Sequence, residues 1–107
     1  MKDGISTERL TLTRFTGSDA EIRDMLRNWV SDPAVQSEYG EPVYTTEAAV
    51  RCLLNRYMSE PFRWAIQENS SRQCIGQVAF CRIWEATSIV IMGRHDLSVL
   101  KEILKRC

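Results

Sequence analysis

From Arg9 to Phe15 the chain alternates, with Leu10 and Leu12 on one side and Thr11 and Thr13 on the other. Period two marks a strand buried on one face. Thr16-Gly17-Ser18-Asp19 breaks the pattern, and the period then changes. Ile22, Met25, Leu26, Trp29 and Val30 recur at helical spacing until Ser31-Asp32-Pro33 ends the run. Ser18 and Glu21 have the spacing of a capping box, in which each side chain satisfies a free backbone donor of the other residue. Residues 34–45 contain Gly40, Pro42 and two tyrosines and read as a loop, with or without a turn of helix. Thr45 or Thr46 caps a second helix with the buried stripe Val50, Leu53, Leu54, Tyr57 and Met58, stopped by Ser59-Glu60-Pro61.

Period two returns at Phe62, Trp64 and Ile66. A polar turn at Glu68 to Arg72 and a strand from Gln73 to about Ile83 complete an antiparallel hairpin. Asn69-Ser70-Ser71 has the form of a glycosylation acceptor and is read as part of that turn. The return strand is Thr87 to Met92, and its run Ile89-Val90-Ile91-Met92 predicts burial on both faces. Leu97, Leu100, Ile103, Leu104 and Cys107 then form one face of a terminal helix that Asp96 caps. The expected fold is α+β, in the order β-α-α-β-β-β-α, with a mainly antiparallel sheet in one domain spanning residues 1–107.

Charge narrows the function classes. Fourteen Lys and Arg balance fourteen Asp and Glu, whereas a nucleic-acid binder needs a basic surplus to displace counterions. Net neutrality also favours self-association. No stretch has the length and apolarity of a membrane span or signal peptide, so the expected location is cytoplasmic. Cys52, Cys74, Cys81 and Cys107 lack the close pairings of zinc or redox sites and read as small hydrophobes, with Cys52 on the apolar side of its helix.

Several short motifs stand in one order: Thr7-Glu8-Arg9-Leu10, Asp19-Ala20, Asn28-Trp29-Val30-Ser31-Asp32-Pro33, Trp64-Ala65-Ile66, and Ile75-Gly76-Gln77-Val78-Ala79-Phe80. Together they resemble the N-terminal half of a GNAT-superfamily N-acetyltransferase of the ribosomal-protein-acetylating (RimJ/RimL-like) type, over residues 5 to about 85. The resemblance implies a truncated GNAT-like domain. Its implied reaction is transfer of an acetyl group from acetyl-coenzyme A to an amine, a protein N-terminus or a small amine, without a metal. Such chemistry needs backbone N–H groups around a pyrophosphate, donors for the developing oxyanion, and a base and an acid for the amine and thiolate.

In the family the pyrophosphate loop follows the fourth strand and reads Arg or Gln, two residues, Gly, one residue, then Gly or Ala. Here Arg94-His95-Asp96-Leu97-Ser98-Val99 takes that place. Arg94 matches, while Leu97 and Val99 stand at the glycine positions, where side chains obstruct approach of backbone to phosphate. With the family's later strands and its tyrosine acid absent before Cys107, the coenzyme-A-binding half is expected to be incomplete. The resemblance gives Ile89, Val90, Ile91 and Met92 the pantetheine arm, Arg94 the phosphates, Glu85 the role of base, and Tyr39 and Tyr44 a wall of the substrate cleft. On the residues alone, Glu85 is a solvated turn residue and the strand is simply buried. His95, the single histidine, has no second ligand or serine partner nearby. The alternative is a non-catalytic remnant, a dimerising or binding module, and the expected partner is a second copy through the Thr87–Met92 strand.

Overall fold

The computed structural model describes residues 4–38, 40–83 and 86–94, with backbone alone for 4–5, 81–83 and 86–90. Strands β1 (Gly4–Ser6) and β2 (Leu10–Thr13) precede helices α1 (Asp19–Asn28), α2 (Pro33–Glu38) and α3 (Glu47–Met58). Strands β3 (Arg63–Glu68), β4 (Cys74–Ile83) and β5 (Ala86–Gly93) follow. They form one sheet in the order β1-β2-β3-β4-β5, with every neighbouring pair antiparallel. The expected α+β class and antiparallel sheet are therefore correct. The terminal helix expected after Asp96 lies outside the described residues.

The register sorts side chains between two faces. Thr13 opposes Ala65, Ala65 opposes Gln77, and Gln77 opposes Met92, so these four share one face. The three helices pack on that side around Ile22, Met25, Trp29, Val50, Leu54 and Tyr57, which bury against Ala65 and Cys74. Leu12, Ile66, Val78 and Ile91 belong to a second buried cluster on the other face, with Trp64 and Phe80 packed against it. A bulge between Ile66 and Gln67 leaves Ile75 as an extra residue and resets the alternation, so that Ile75 joins the cluster of Val78 and Cys74 turns to the helix side.

Local differences from the sequence reading have physical causes. Ser18 caps α1 by accepting the Glu21 N–H at 3.2 Å. Glu21 does not return that bond to Ser18. Its Oε1 instead accepts the N–H groups of Thr16 and Gly17, at 2.9 and 2.8 Å. Helix α1 ends at Asn28, yet Trp29 and Val30 stay buried in the turn beyond it. Asp32 and Pro33 start a new helix as well as ending the old one, because Asp32 Oδ1 accepts the Ala34 N–H and proline is tolerated at a first helical position. Thr46 is the cap of α3 and accepts the Ala49 N–H at 3.2 Å. Met58 and Cys52, both expected on the buried side of that helix, are exposed. Asn69 is confirmed as a turn residue and bonds inward: Oδ1 accepts from Thr11 Oγ1 at 2.6 Å, and Nδ2 donates to the carbonyls of Thr7 and Glu8.

Candidate functional site

A polar network lies under α3 on the helix-covered side of β3, β4 and β5. Arg63, at the start of β3, has its guanidinium over the Tyr57 ring, 4.5 Å from the ring centre. Its Nε and Nη2 donate to Glu60 Oε2 at 3.2 and 2.9 Å, and its Nη1 donates to Gln77 Oε1. Gln77 is only 2% exposed in the middle of β4. Its Nε2 donates to the Tyr57 hydroxyl at 2.8 Å and lies 3.5 Å from Met92 Sδ on β5. A single carboxamide thus ties β3, β4, β5 and α3 together. Buried polar groups persist when they are paired in this way.

Burial pushes the Tyr57 phenol up to about 12, against the opposing pull of Arg63. The phenol therefore keeps its proton throughout the physiological range. Tyr44, from the loop after α2, packs half-buried against the same core, with its N–H donated to the Val30 carbonyl at 2.8 Å. Gln36 braces this loop by donating Nε2–H to the Pro42 carbonyl at 2.8 Å. The resemblance assigns the loop to a cleft wall, and the structure brings it to the helix side that carries Tyr57.

The candidate cofactor residues divide by position. Ile91 and Met92 are buried and project to opposite faces of β5, as the uninterrupted apolar run predicts. For Ile89 and Val90 the backbone places them opposite Phe80 and Ala79 in the β4–β5 ladder. Arg94 continues that ladder by donating its N–H to the Ile75 carbonyl at 2.9 Å. Its Nη2 meets Glu68 Oε2 at 2.6 Å, an ion pair roughly a quarter exposed on each side. Glu68 is held in turn by Ser71, whose hydroxyl donates to Oε1 at 2.7 Å. Glu85 and Tyr39 lie outside the described residues.

A concavity of about 230 Å³ opens between the start of α1 and strands β2 to β4. Glu21, Asp24 and Cys74 line it, but none of the residues expected to carry chemistry does. Burial pushes the Cys74 thiol far above its ordinary range, so it is no nucleophile. Asp24 is engaged in accepting the Cys74 N–H at 3.1 Å. Among the described residues no group of His, Cys, Asp and Glu is placed to hold a metal, and no helix is long and apolar enough to cross a membrane.

Glu60, Arg63 and Gln77 were not read as functional from sequence, and Tyr57 was read only as core. A usable signal was present. Gln77 interrupts the apolar run from Cys74 to Cys81, and Tyr57 sits in a helix stripe that buries its polar tip, so each needs a partner.

A family model described as an acetyltransferase (GNAT) domain matches residues 9–94, from the start of β2 to the ion-paired arginine after β5. Among solved structures, the chain is similar to a GNAT-family acetyltransferase from Bacillus anthracis, with a TM-score of 0.72 at 18% identity. That match covers 89% of this chain and 55% of the other. A GCN5-related N-acetyltransferase from Brucella melitensis is similar with a TM-score of 0.72 at 14% identity, over 96% of this chain and 52% of the other. At such identities the likeness speaks for the fold. No curated protein matches the sequence. The chain spans about half the length of the solved acetyltransferases it resembles. With the family model matched over most of its residues, this chain belongs to the GNAT acetyltransferase domain family.

Proposed function

We propose that this domain takes part in transfer of an acetyl group from acetyl-coenzyme A to an amine, either a protein N-terminus or a small amine. The observation that carries the reading is the family match running through β5 to Arg94, with β5 standing last in the strand order among the described residues. When bound, acetyl-coenzyme A supplies an acyl group already activated as a thioester. Residues Ile89 to Met92 would hold the pantetheine arm along β5, a role that extended backbone at the end of a sheet suits.

The fit at Arg94 is poorer. Its guanidinium is held by Glu68 at 2.6 Å, so a phosphate there competes with a carboxylate already in place. On the helix-covered side, Gln77 and Met92 fix the position of β5 relative to α3, and the Tyr44 loop supports a wall for the acceptor. Glu85 is the base in this reading, by family resemblance. Incubation with acetyl-coenzyme A and a peptide bearing a free N-terminus is the direct assay. One added acetyl mass on the peptide, absent without protein, is expected, and an unmodified peptide contradicts the reading.

A second reading, a dimerising module, draws on the same strand. β5 is apolar and stands at the end of the described sheet order, and such strands recruit another strand.

A further inference from the structure

Past the end of β5 the chain is tied back to the β3–β4 turn. Arg94 Nη2 donates to Glu68 Oε2 at 2.6 Å, and the two side chains are 26% and 27% exposed. Glu68 is the last residue of β3, and its backbone is held on both sides. Its N–H donates to the Gln73 carbonyl at 2.9 Å, and its carbonyl accepts the Arg72 N–H at 2.8 Å. Its other carboxylate oxygen accepts the Ser71 hydroxyl at 2.7 Å. Arg94 is anchored too, because its own N–H donates to the Ile75 carbonyl at 2.9 Å. A hydrogen-bonded turn thus aims a carboxylate at a guanidinium whose main chain is fixed to the neighbouring strand.

A guanidinium takes carboxylate and phosphate through the same fork of N–H donors, so the two anions are alternatives at one arginine. The degree of exposure makes the exchange feasible. Fully buried, a carboxylate stripped of its cation would be left uncompensated. Fully exposed, the pair would be too weak to compete. With about a quarter of each side chain exposed, Glu68 can turn to water and Ser71 while Arg94 turns to another anion. We infer that Glu68 is an internal competitor for phosphate at Arg94, so that a phosphate group enters the end of β5 only by displacing this carboxylate. The inference rests on the reading of β5 and Arg94 as the cofactor end. Glu68 then sets how tightly that end takes a phosphate, and phosphate binding uncouples Arg94 from the β3–β4 turn.

Glu68→Gln keeps an oxygen for the Ser71 hydroxyl but removes the charge that holds Arg94. Calorimetric titration with coenzyme A and with inorganic pyrophosphate is expected to show about tenfold tighter binding to this variant than to wild type, the size of one charge-assisted hydrogen bond. Made in an Arg94→Met background, the same substitution is expected to give no gain, because the competition is for that guanidinium. Equal coenzyme A affinity of wild type and Glu68→Gln overturns the inference while leaving the cofactor reading standing. So does an equal gain with and without Arg94, which is the mark of general repulsion by the carboxylate. Failure of both wild type and Glu68→Gln to bind coenzyme A overturns the inference and the cofactor reading together.

Discussion

Glu21 shows how a single carboxylate can be held by opposing forces. Burial raises its pKa, while the N–H groups of Gly17 and Thr16 pull it down, and the net shift is upward. A raised folded-state pKa means that the native protein binds this proton more tightly than the unfolded chain. The stabilising contribution is complete at low pH and is lost as pH rises through the elevated carboxylate range. Glu21→Gln keeps an oxygen to accept the two N–H bonds but carries no charge. Its stability relative to wild type should therefore improve between about pH 4 and about pH 7, since all other carboxylates titrate alike in both proteins. Urea unfolding of the pair at those two pH values measures the difference, and a constant or reversed difference contradicts the assignment. Sequence spacing paired Glu21 with Ser18 but did not show that the carboxylate reaches past the cap to Thr16 and Gly17.

Among the elements, periodicity was legible wherever one face meets a core. β2, α1, α3 and the β3–β4 hairpin follow directly from stripes such as Ile22, Met25 and Val50, Leu53, Leu54. β1 was missed because three residues, Gly4-Ile5-Ser6, carry no pattern to read. α2 was only half seen, because Asp32-Pro33 is as good a start signal as a stop. The site was less legible than the fold. Its polar network unites residues from α3, β3 and β4 with a methionine on β5, and only strand register places Gln77 opposite both Ala65 and Met92. The strand β5 carries the prediction that belongs at this scale. An apolar strand at the end of a sheet recruits a second copy, so the second reading gives a dimer at tens of micromolar by light scattering. Adding acetyl-coenzyme A should dissociate it, because one edge cannot hold both partners. A monomeric mass under all conditions removes the dimerising reading.

For the whole molecule, the sheet divides the labour between its faces. One face carries the three helices, the Tyr57 network and the Tyr44 loop, and the other is the apolar face of Leu12, Ile66, Val78 and Ile91. Arg94 leaves the end of β5 tied across to Glu68 at the end of β3. The acetyl-transfer proposal depends on whether β5 accepts the family's cofactor when Arg94 is already paired with Glu68 and Leu97 and Val99 stand where the family has glycines. Calorimetric titration of the wild-type chain with acetyl-coenzyme A decides that point. The expected result is saturable binding at one site per chain, weakened by competing pyrophosphate. Absence of heat up to millimolar ligand would contradict a cofactor-binding β5.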